Sequence, residues 1–343
     1  MTAGRPTPPA IGVRGASDRD AVRSAVAAAA GSEAVSVGVL RHYAYTKSAP
    51  LRTATATIDG RRVELLVKDV TRSSLLPAAR RVKPAFLHAP LREIGMYRDV
   101  LTGVDGTARY YGHHTDPASG RRLLVIERVD GLELCDVGDR AVWQATARWL
   151  GRFHTLTDVG SAAAVPLVHH TAAYYRRWMR RAGAAGRRLP VGPRRSLDHV
   201  LAVYARVAVD RLTAAPAVLL HGELYPSNVI VGGARLDGTV DPAGVRICPV
   251  DWETAARGPA LLDLAALTTG GWSDAHRAAL ISAYRDAVIK AGGAVPGDLG
   301  AALAACRLHL AVQWLAWFTS DGPPPWQARD WLADATQAAE RLA

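Results

Sequence analysis

The segment from residue 218 to residue 251 constrains the fold of this chain more than any other. Three short apolar runs, at 218–220, 229–231 and 245–250, are separated by loops that contain Gly, Pro, Asn and Asp. Short apolar runs between such turn residues are typical of β-strands. The segment therefore predicts three strands in succession, with polar residues gathered at adjacent strand ends.

These polar residues match the needs of phosphoryl transfer from ATP. His221, Glu223 and Asn228 have the spacing His-x-acid-x-x-x-x-Asn, and Asp251 follows the third strand. In this chemistry a carboxylate accepts the proton of the acceptor hydroxyl, while an Asn and an Asp hold Mg²⁺ on the phosphates. We interpret Glu223 as the catalytic base and Asn228 and Asp251 as magnesium ligands. We interpret His221 as a catalytic-loop residue that holds the loop by hydrogen bonds.

Glu223 stands where the kinase catalytic-loop pattern has Asp. Its extra methylene group moves the carboxylate by about one bond length, and an error of about 1 Å in position costs roughly 100-fold in rate. The chain is therefore either an active phosphotransferase whose site accommodates Glu, or a pseudokinase. A pseudokinase would bind a nucleotide or metabolite and be catalytically weak or inactive.

The sequence before residue 130 predicts a sheet with two helices. We expect one helix at 18–30, begun by Ser17 or Asp18 as its N-cap, and another at 91–101. Asp59 and Gly60 form a strong hairpin signal between two of the predicted strands. The five predicted strands lie at residues 35–43, 52–58, 62–68, 108–111 and 122–129.

The sequence after residue 130 predicts mainly helices around the three strands. Amphipathic patterns lie at 140–156, at 196–212 and from 260 onward. Trp314 and Trp317 fall three residues apart on one face of a predicted helix. Core packing explains this spacing, and so does an aromatic wall of the acceptor pocket.

Several residues of the predicted sheet domain are candidates for binding the nucleotide. Lys68 ends a strand and is placed to reach the phosphates if Glu93 holds it, although an ordinary exposed strand-end lysine is the alternative. Glu127 and Val129 mark a hinge where backbone groups bind adenine, or else a connector without a ligand. Residues 42–50 lack a Gly-rich pattern, so backbone amides around 46–49 are the expected phosphate cradle.

Composition excludes several classes of protein. The hydrophobic content of 49% and charged content of 21% are typical of a soluble globular protein. No apolar run approaches the roughly 20 residues that span a bilayer, and residues 1–10 lack the apolar core of a signal peptide. Three well-separated cysteines without metal-ligand spacing disfavour a zinc site and a disulfide framework. A reducing, cytoplasmic location is expected.

The formal net charge of +11 is carried mostly by arginine. No nucleic-acid-binding motif accompanies these residues, so a solvated basic face or an anionic substrate is expected ahead of a nucleic-acid surface. The basic residues are scattered along the chain, with clusters at Arg80-Arg81, Arg176-Arg177, Arg180-Arg181, Arg187-Arg188 and Arg194-Arg195.

Taken together, these residues resemble the aminoglycoside phosphotransferase and choline kinase group of small-molecule kinases. The likeness rests on VLLHGELYPSNVIV at 218–231 and VDWETAARGPALLDLA at 250–265. They are similar to the family pattern HGDxxxxN, IDWE and GPxxxDLA. The resemblance implies ATP and Mg²⁺ as cofactors and a hydroxyl group of a small molecule as the acceptor. It also implies that Asp263 braces the catalytic loop and that His154 is a structural helix histidine.

The resemblance also implies the fold class. We expect an α+β, two-lobed protein-kinase-like fold, with a small antiparallel β-sheet N-lobe that carries a helix and a larger, mainly helical C-lobe. The expected bounds are a flexible tail at 1–15, an N-lobe at 16–129 and a C-lobe at 130–343.

The net charge narrows the expected acceptor. Enzymes of this group that act on polycationic aminoglycosides line their pocket with carboxylates. A chain at +11 with Arg-rich loops around residues 174–195 repels a polycation at long range. We therefore expect a neutral or anionic acceptor, such as a sugar, a nucleoside or a natural product of secondary metabolism, and neither a membrane nor a nucleic-acid partner.

Overall fold

The computed structural model describes residues 15–43, 48–234, 240, 245–317 and 329–343. The chain divides into two compact units. The first, here the sheet unit, contains Met1–Thr71 and Tyr111–Arg128; the second, the helical unit, contains Arg72–Tyr110 and Val129–Ala343. Residues 72–110, which the predicted N-lobe includes, thus group with the helical unit, and the predicted lobe bounds remain a prediction. The predicted tail and the loop at 44–47 lie outside the described residues.

The sheet unit contains one helix and a curled sheet whose described strands run β1-β3-β4-β6-β5, with β2 added to β3. The pairs β1–β3, β3–β4 and β4–β6 are antiparallel, as the predicted fold class requires. The elements are α1 (Gly15–Ala30), β1 (Val35–Val37), β2 (Arg41–His42), β3 (Leu51–Ile58), β4 (Arg61–Asp69), β5 (Tyr110–Thr115) and β6 (Arg122–Glu127).

Alternation in β3 and a hairpin turn set the register of this sheet. Ala54 and Ala56 face the core while Thr53, Thr55 and Thr57, which alternate with them, are half-buried, a period of two that places one face against α1. Asp59 and Gly60 both have positive φ, 48° and 77°, the conformation of a two-residue hairpin turn. The turn pairs Ile58 with Arg61, so the predicted hairpin is confirmed.

Two local predictions for the sheet unit were wrong. The strand expected at 35–43 is interrupted: pairing with β3 ends after the amide of Gly38 donates to Thr55 O and resumes only at Arg41 and His42. The first helix begins at Gly15, so Asp18 lies in its first turn and is not the N-cap. Its carboxylate instead binds arginines of the sheet.

The helical unit contains ten described helices: α2 (Pro77–Val82), α3 (Pro90–Gly95), α4 (Arg140–Leu156), α5 (Ala172–Gly186), α6 (Val191–Val203), α7 (Val209–Ala214), α8 (Leu261–Leu267), α9 (Asp274–Lys290), α10 (Leu299–Trp317) and α11 (Trp331–Glu340). A π-helical turn extends α3 and another joins α6 to α7. Its described strands are β7 (Leu132–Glu133), β8 (Val168–His169), β9 (Ala217–Leu220), β10 (Val229–Gly232), β11 (Arg246–Pro249) and β12 (Ala256–Pro259). They form two small sheets, β11-β10-β7 and β8-β12-β9. The three predicted catalytic strands are therefore β9, β10 and β11.

The Arg-rich stretch at 174–195 was expected to be loops, and that prediction was wrong. It forms most of α5 and the start of α6. Tyr175, Trp178 and Ala182 are fully buried at helical spacing, and this apolar stripe fixes α5 as a helix. The exposed side of the two helices carries Arg176, Arg177, Arg180, Arg194 and Arg195, and the turn that joins them carries Arg187 and Arg188.

By length and composition α10 is the one helix of the described residues that matches a membrane span. However, 61% of its apolar window is buried inside the unit. It packs against α5, α8 and α11. A core helix of a globular domain meets the same test.

An ion cluster ties α1 to the sheet. Asp18 is 3% exposed and accepts hydrogen bonds from Arg52, at 2.5 Å, and from Arg121. Arg121 Nε also donates to Asp69 Oδ2 at 2.6 Å. Burial would raise the pKa of Asp18, but the hydrogen bonds from Arg121 and Arg52 outweigh it and hold the pKa below its ordinary value.

We expect Asp18→Asn to lower the free energy of unfolding by about 2 kcal/mol at pH 7, because two arginines lose their charged acceptor. Since the folded-state pKa of Asp18 is depressed, this contribution is fully present above about pH 4 and is lost as the pH falls through the folded-state value. Urea denaturation of both proteins across this pH range measures the difference. Asp20→Asn, exposed on the same helix, is the control and should change stability by less than about 0.5 kcal/mol. Equal losses in the two variants would contradict the assignment.

Candidate active site

A buried carboxylate holds the loop between β9 and β10. Asp263, in α8, is 1% exposed. Its Oδ2 accepts from the amide of His221 at 2.7 Å, and its Oδ1 accepts from the amide of Gly222 at 2.9 Å. His154 Nε2 lies 3.2 Å from Oδ2, and its Nδ1 lies 3.1 Å from Tyr284 Oη. The loop that carries Glu223 is therefore fixed at its first two residues by α8 and, through His154, by α4.

The Asp263 carboxylate is ionised. Burial would raise its pKa, but the hydrogen bond and charge of His154, together with His221, hold the pKa below its ordinary value. A buried carboxylate keeps its charge only when donors of this kind surround it.

Position 222 requires a glycine because the segment that follows β11 approaches the loop closely there. Its φ is +89°, a conformation that L-residues rarely adopt. A Cβ atom there would lie 2.2 Å from Thr254 O, which is too close for any side chain. The Gly after His221 thus lets the loop pack against the residues that follow Asp251.

His221 braces the loop with both ring nitrogens. Nε2 lies 2.9 Å from Val250 O, a carbonyl acceptor, while Nδ1 accepts from the amide of Glu223 at 3.3 Å. This arrangement defines the neutral tautomer with its proton on Nε2. Its ring is fully buried, with its centroid 4.5 Å from that of Trp252. The geometry is that of a structural histidine.

Asn228 and Asp251 come together at the ends of β10 and β11. The backbone oxygen of Asn228 accepts from Val250 N at 2.8 Å. Its Nδ2 donates to Glu223 O at 2.9 Å, which orients the amide so that Oδ1 is the atom a cation would use. Asp251 adopts a left-handed conformation, with φ of 67° and ψ of 58°. A non-glycine residue in this region marks local strain, which is concentrated at functional sites.

Two further carboxylates lie beside Asp251. Oxygen atoms of Glu93, Asp251 and Glu253 all lie within 4.8 Å of one another. Carboxylate oxygens, with an amide oxygen nearby, form the hard donor set that Mg²⁺ prefers. The residues therefore fit a magnesium ion chemically. Glu93, expected to pair with Lys68, lies on α3 of the helical unit, and that pairing remains a prediction.

Two buried cations position this acidic group, and sequence reasoning missed both. Arg92 is 3% exposed and donates to the backbone oxygens of Glu253 at 2.6 Å, Pro166 at 2.7 Å and Leu87 at 2.8 Å. Lys83, also buried, forms an ion pair with Glu253 Oε1. Burial lowers the pKa of Arg92, and the charge of Glu253 partly offsets this. The only sequence signal for these two cations was Glu253, the acidic residue that ends the D-W-E sequence.

The remaining predicted nucleotide residues lie in or next to the sheet unit. Lys68 is buried on β4, opposite Leu51 of β3 and Leu124 of β6, so it is not an exposed strand-end lysine. Glu127 ends β6, and Val129 lies just beyond that strand. The adjacent strands bring Lys68 and Glu127 into one sheet. Their roles remain predictions, and the loop expected to cradle phosphate lies partly outside the described residues.

Comparison with known proteins identifies the family. The profile of the phosphotransferase enzyme family (APH) matches residues 79–299, so the chain belongs to that family. The protein is a small-molecule phosphotransferase that uses a hydroxyl group as acceptor. No curated protein matches the chain at a significant level.

Solved structures share its fold at low sequence identity. The macrolide 2'-phosphotransferase MphH from Brachybacterium faecium is 17% identical, with a TM-score of 0.52, over 88% of this chain and 91% of that one. The GDP and kanamycin complex of APH(2")-IIia is 13% identical, with a TM-score of 0.55, over 92% of this chain and 96% of that one. Choline kinase LicA from Streptococcus pneumoniae is 15% identical, with a TM-score of 0.53, over 84% of this chain and 89% of that one.

We expect Asp263→Asn to destabilise the protein by about 3 kcal/mol, because an amide NH₂ would face one of the three donors and a buried partner would lose its charge. The loss should shrink on acidification, since the depressed pKa of Asp263 makes its contribution disappear as the pH falls through the folded-state value. Urea denaturation measures it, and hydrogen exchange at the amides of His221 and Gly222 should accelerate. Asp286→Asn, exposed on α9, is the control. Unchanged exchange at both amides would show that Asp263 does not brace the loop.

Proposed function

We propose that the protein transfers the γ-phosphoryl group of ATP, in the presence of Mg²⁺, to a hydroxyl group of a neutral or anionic small molecule. Glu223 accepts the proton of that hydroxyl. Asn228 and Asp251 hold the magnesium ion, with Glu93 and Glu253 as further carboxylates near it. Lys68 binds the nucleotide phosphates, and backbone groups around Glu127 and Val129 bind the base.

The loop braced by Asp263 is the observation that carries this proposal. It fixes the backbone of Glu223 through His221, and it fixes Asn228 through the hydrogen bond to Glu223 O. Phosphoryl transfer depends almost entirely on such positioning and on charge stabilisation, because the protein performs little covalent chemistry. A rigid base and a rigid amide on one loop suit that task.

The cofactors agree with what structural relatives bind. One relative was solved with GDP and another, LicA, with AMP. Mg²⁺ is proposed from the oxygen donors around Asp251 and would supply charge stabilisation for the phosphates. The cysteines at 135, 248 and 306 form no disulfide among the described residues, which fits a reducing environment, and we propose a cytoplasmic location for the enzyme.

The charge of the helical unit supports a neutral or anionic acceptor. The exposed sides of α5 and α6 carry five arginines, the turn between them carries two more, and the whole chain has a formal charge of +11. Such a field lowers the local concentration of polycations and raises that of anions. Relatives of the same fold act on macrolides, aminoglycosides and choline, so the fold alone does not select the acceptor.

A catalytically weak or inactive pseudokinase that binds a nucleotide or metabolite is the second candidate. It rests on one observation, the longer Glu223 in place of the usual Asp. The backbone of Glu223 is held by the hydrogen bond from its amide to His221. The position that the longer side chain gives to the carboxylate therefore decides between the two functions.

We expect calorimetry to show ATP binding that strengthens with Mg²⁺ in the wild type and loses this dependence in Asp251→Asn. The reason is that Asp251 supplies a charged oxygen that Asn does not replace. Asp286→Asn should bind as the wild type does. No ATP binding with or without Mg²⁺ would refute the nucleotide site and the phosphotransferase function, and would leave only a pseudokinase that binds a metabolite.

We expect Glu223→Gln to lower phosphoryl transfer by about 100-fold or more without weakening ATP binding, because the proton acceptor is lost. ADP release and phosphoester formation with a panel of sugars and nucleosides measure it, with Glu340→Gln on exposed α11 as control. If only Glu223→Asp transfers phosphate and the wild type does not, the protein is a pseudokinase.

A further inference from the structure

A continuous series of aromatic rings starts at the catalytic loop of the helical unit. It runs from Tyr225 through Trp314 and Trp317 of α10 to Trp178 and Tyr174 of α5, and we name these five residues the aromatic wall. In this order, successive ring centroids lie 5.6, 6.4, 5.7 and 6.4 Å apart. Aromatic side chains at such distances stabilise each other. The wall is therefore a single packed surface.

Both ends of the aromatic wall lie in the field of the Glu223 carboxylate. Tyr225 follows Glu223 by two residues, and burial followed by the charge of Glu223 raises its phenol pKa. At the other end, burial raises the pKa of Tyr174, and the charge of Glu223 adds to the effect. The wall therefore begins and ends close to the group proposed to accept the acceptor's proton.

The rings nearest the loop are held rigidly and are only half-buried. Trp314 Nε1 donates to Tyr225 Oη at 2.6 Å, which fixes both rings. Tyr225, Trp314 and Trp317 keep part of their surface exposed, whereas Trp178 and Tyr174 are buried. A rigid, partly exposed aromatic surface binds a flat apolar face with little loss of side-chain entropy.

Fixed positive charges already lie over neighbouring rings. The guanidinium of Arg177 lies 4.7 Å from the centroid of Phe86, which packs edge-on against Trp178 at 5.4 Å. Arg181 lies 5.9 Å from the centroid of Trp178. Arg177 and Arg181 therefore place positive charge beside the inner end of the wall, which disfavours an ammonium group there.

Two imidazoles behind the wall, those of His170 and His309, are uncharged. The His170 ring stacks on Tyr174 at 4.4 Å, and burial lowers its pKa to about 3. Burial also lowers the pKa of His309, whose ring lies 6.1 Å from that of His170. His170 Nδ1 and His309 Nε2 are buried without a hydrogen-bond partner among the described residues. These imidazoles therefore place no charge behind the wall that an ionic acceptor could pair with.

We infer that the aromatic wall is the acceptor subsite and that it takes an uncharged compound with a hydroxyl-bearing ring, such as a sugar or nucleoside, and not a polyamine or a quaternary ammonium. The inference rests on the proposed function. The apolar face of the ring packs on Trp314 and Trp317, and one hydroxyl lies at Glu223. The hydroxyl oxygen forms a bond to the γ-phosphorus of ATP, and its proton passes to the Glu223 carboxylate. The bond from the γ-phosphorus to the β–γ bridging oxygen breaks, and its electron pair leaves with ADP.

Kinetics with chosen probes test this subsite. Methyl β-D-glucopyranoside, phenyl β-D-glucopyranoside and uridine are the neutral probes, and choline and kanamycin are the cationic ones. ATP-dependent phosphoester formation should favour a neutral probe. For that probe, Trp317→Leu should raise KM by about tenfold, the equivalent of one aromatic stacking contact, while the ATP affinity stays unchanged. Trp317→Phe should restore most of the loss.

Trp272→Leu, which changes a half-buried tryptophan outside the wall, is the matched control and should leave KM unchanged. Thermal unfolding of each variant confirms that it is folded. Preferred phosphorylation of choline or kanamycin, or an unchanged KM in Trp317→Leu, overturns the inference. If magnesium-dependent ATP binding persists and no neutral probe is bound or phosphorylated, the subsite inference fails while the nucleotide site stands. If ATP does not bind at all, the proposed function fails first.

Discussion

The catalytic loop keeps its shape because the Asp263 carboxylate accepts hydrogen bonds from the amides of His221 and Gly222 while His154 contacts the same group. Burying a charge in a protein core is unfavourable unless donors surround it. Here the donors are backbone amides of the loop itself. A movement of the loop would therefore leave the buried charge without these hydrogen bonds, which is unfavourable. The neutral His221 ring hydrogen-bonds to the amide of Glu223 and to Val250 O, and the side-chain amide of Asn228 hydrogen-bonds to Glu223 O. These bonds hold all three residues in place relative to the braced loop. Both candidate roles of the loop, proton acceptance and metal binding, depend on that one carboxylate.

A second constraint acts on the residues after β11. Arg92 and Lys83 are buried cations from the segment that carries α2 and α3, and both bind Glu253. Their charges offset three carboxylates held within 4.8 Å of one another, an arrangement that repels itself without cations. The left-handed backbone of Asp251 lies at the start of this anchored stretch. Strain at Asp251 is tolerated because its surroundings are fixed from two directions, by Asp263 through the loop and by Arg92 through Glu253 O.

We propose that charge and shape select the acceptor in different ways, charge at long range and shape at contact. The exposed arginines of α5 and α6 act at a distance, where they disfavour polycations before any contact is made. The aromatic wall is proposed to act at contact, where its exposed ring faces meet the acceptor. The same helix serves both purposes, since α5 places arginines on its outer side and Tyr174 and Trp178 on its inner side. Its 3.6-residue period makes this division possible.

The sequence by itself determined the site's local chemistry, because the residues from His221 to Asp251 lie on consecutive strands and their spacing directly sets which strand ends they occupy. It also determined the sheet of the first unit, since the alternation in β3 and the Asp59-Gly60 turn act over a few residues. It failed for α5, where arginine pairs masked the apolar stripe, and for two-residue strands such as β7 and β8, which have too few residues to show a period. Only the tertiary structure decided the partners of Arg92, which lies 161 residues from Glu253, and the closure of the aromatic wall between the catalytic loop, α5 and α10. Such contacts come from the packing of distant elements, and no local pattern in the sequence records them.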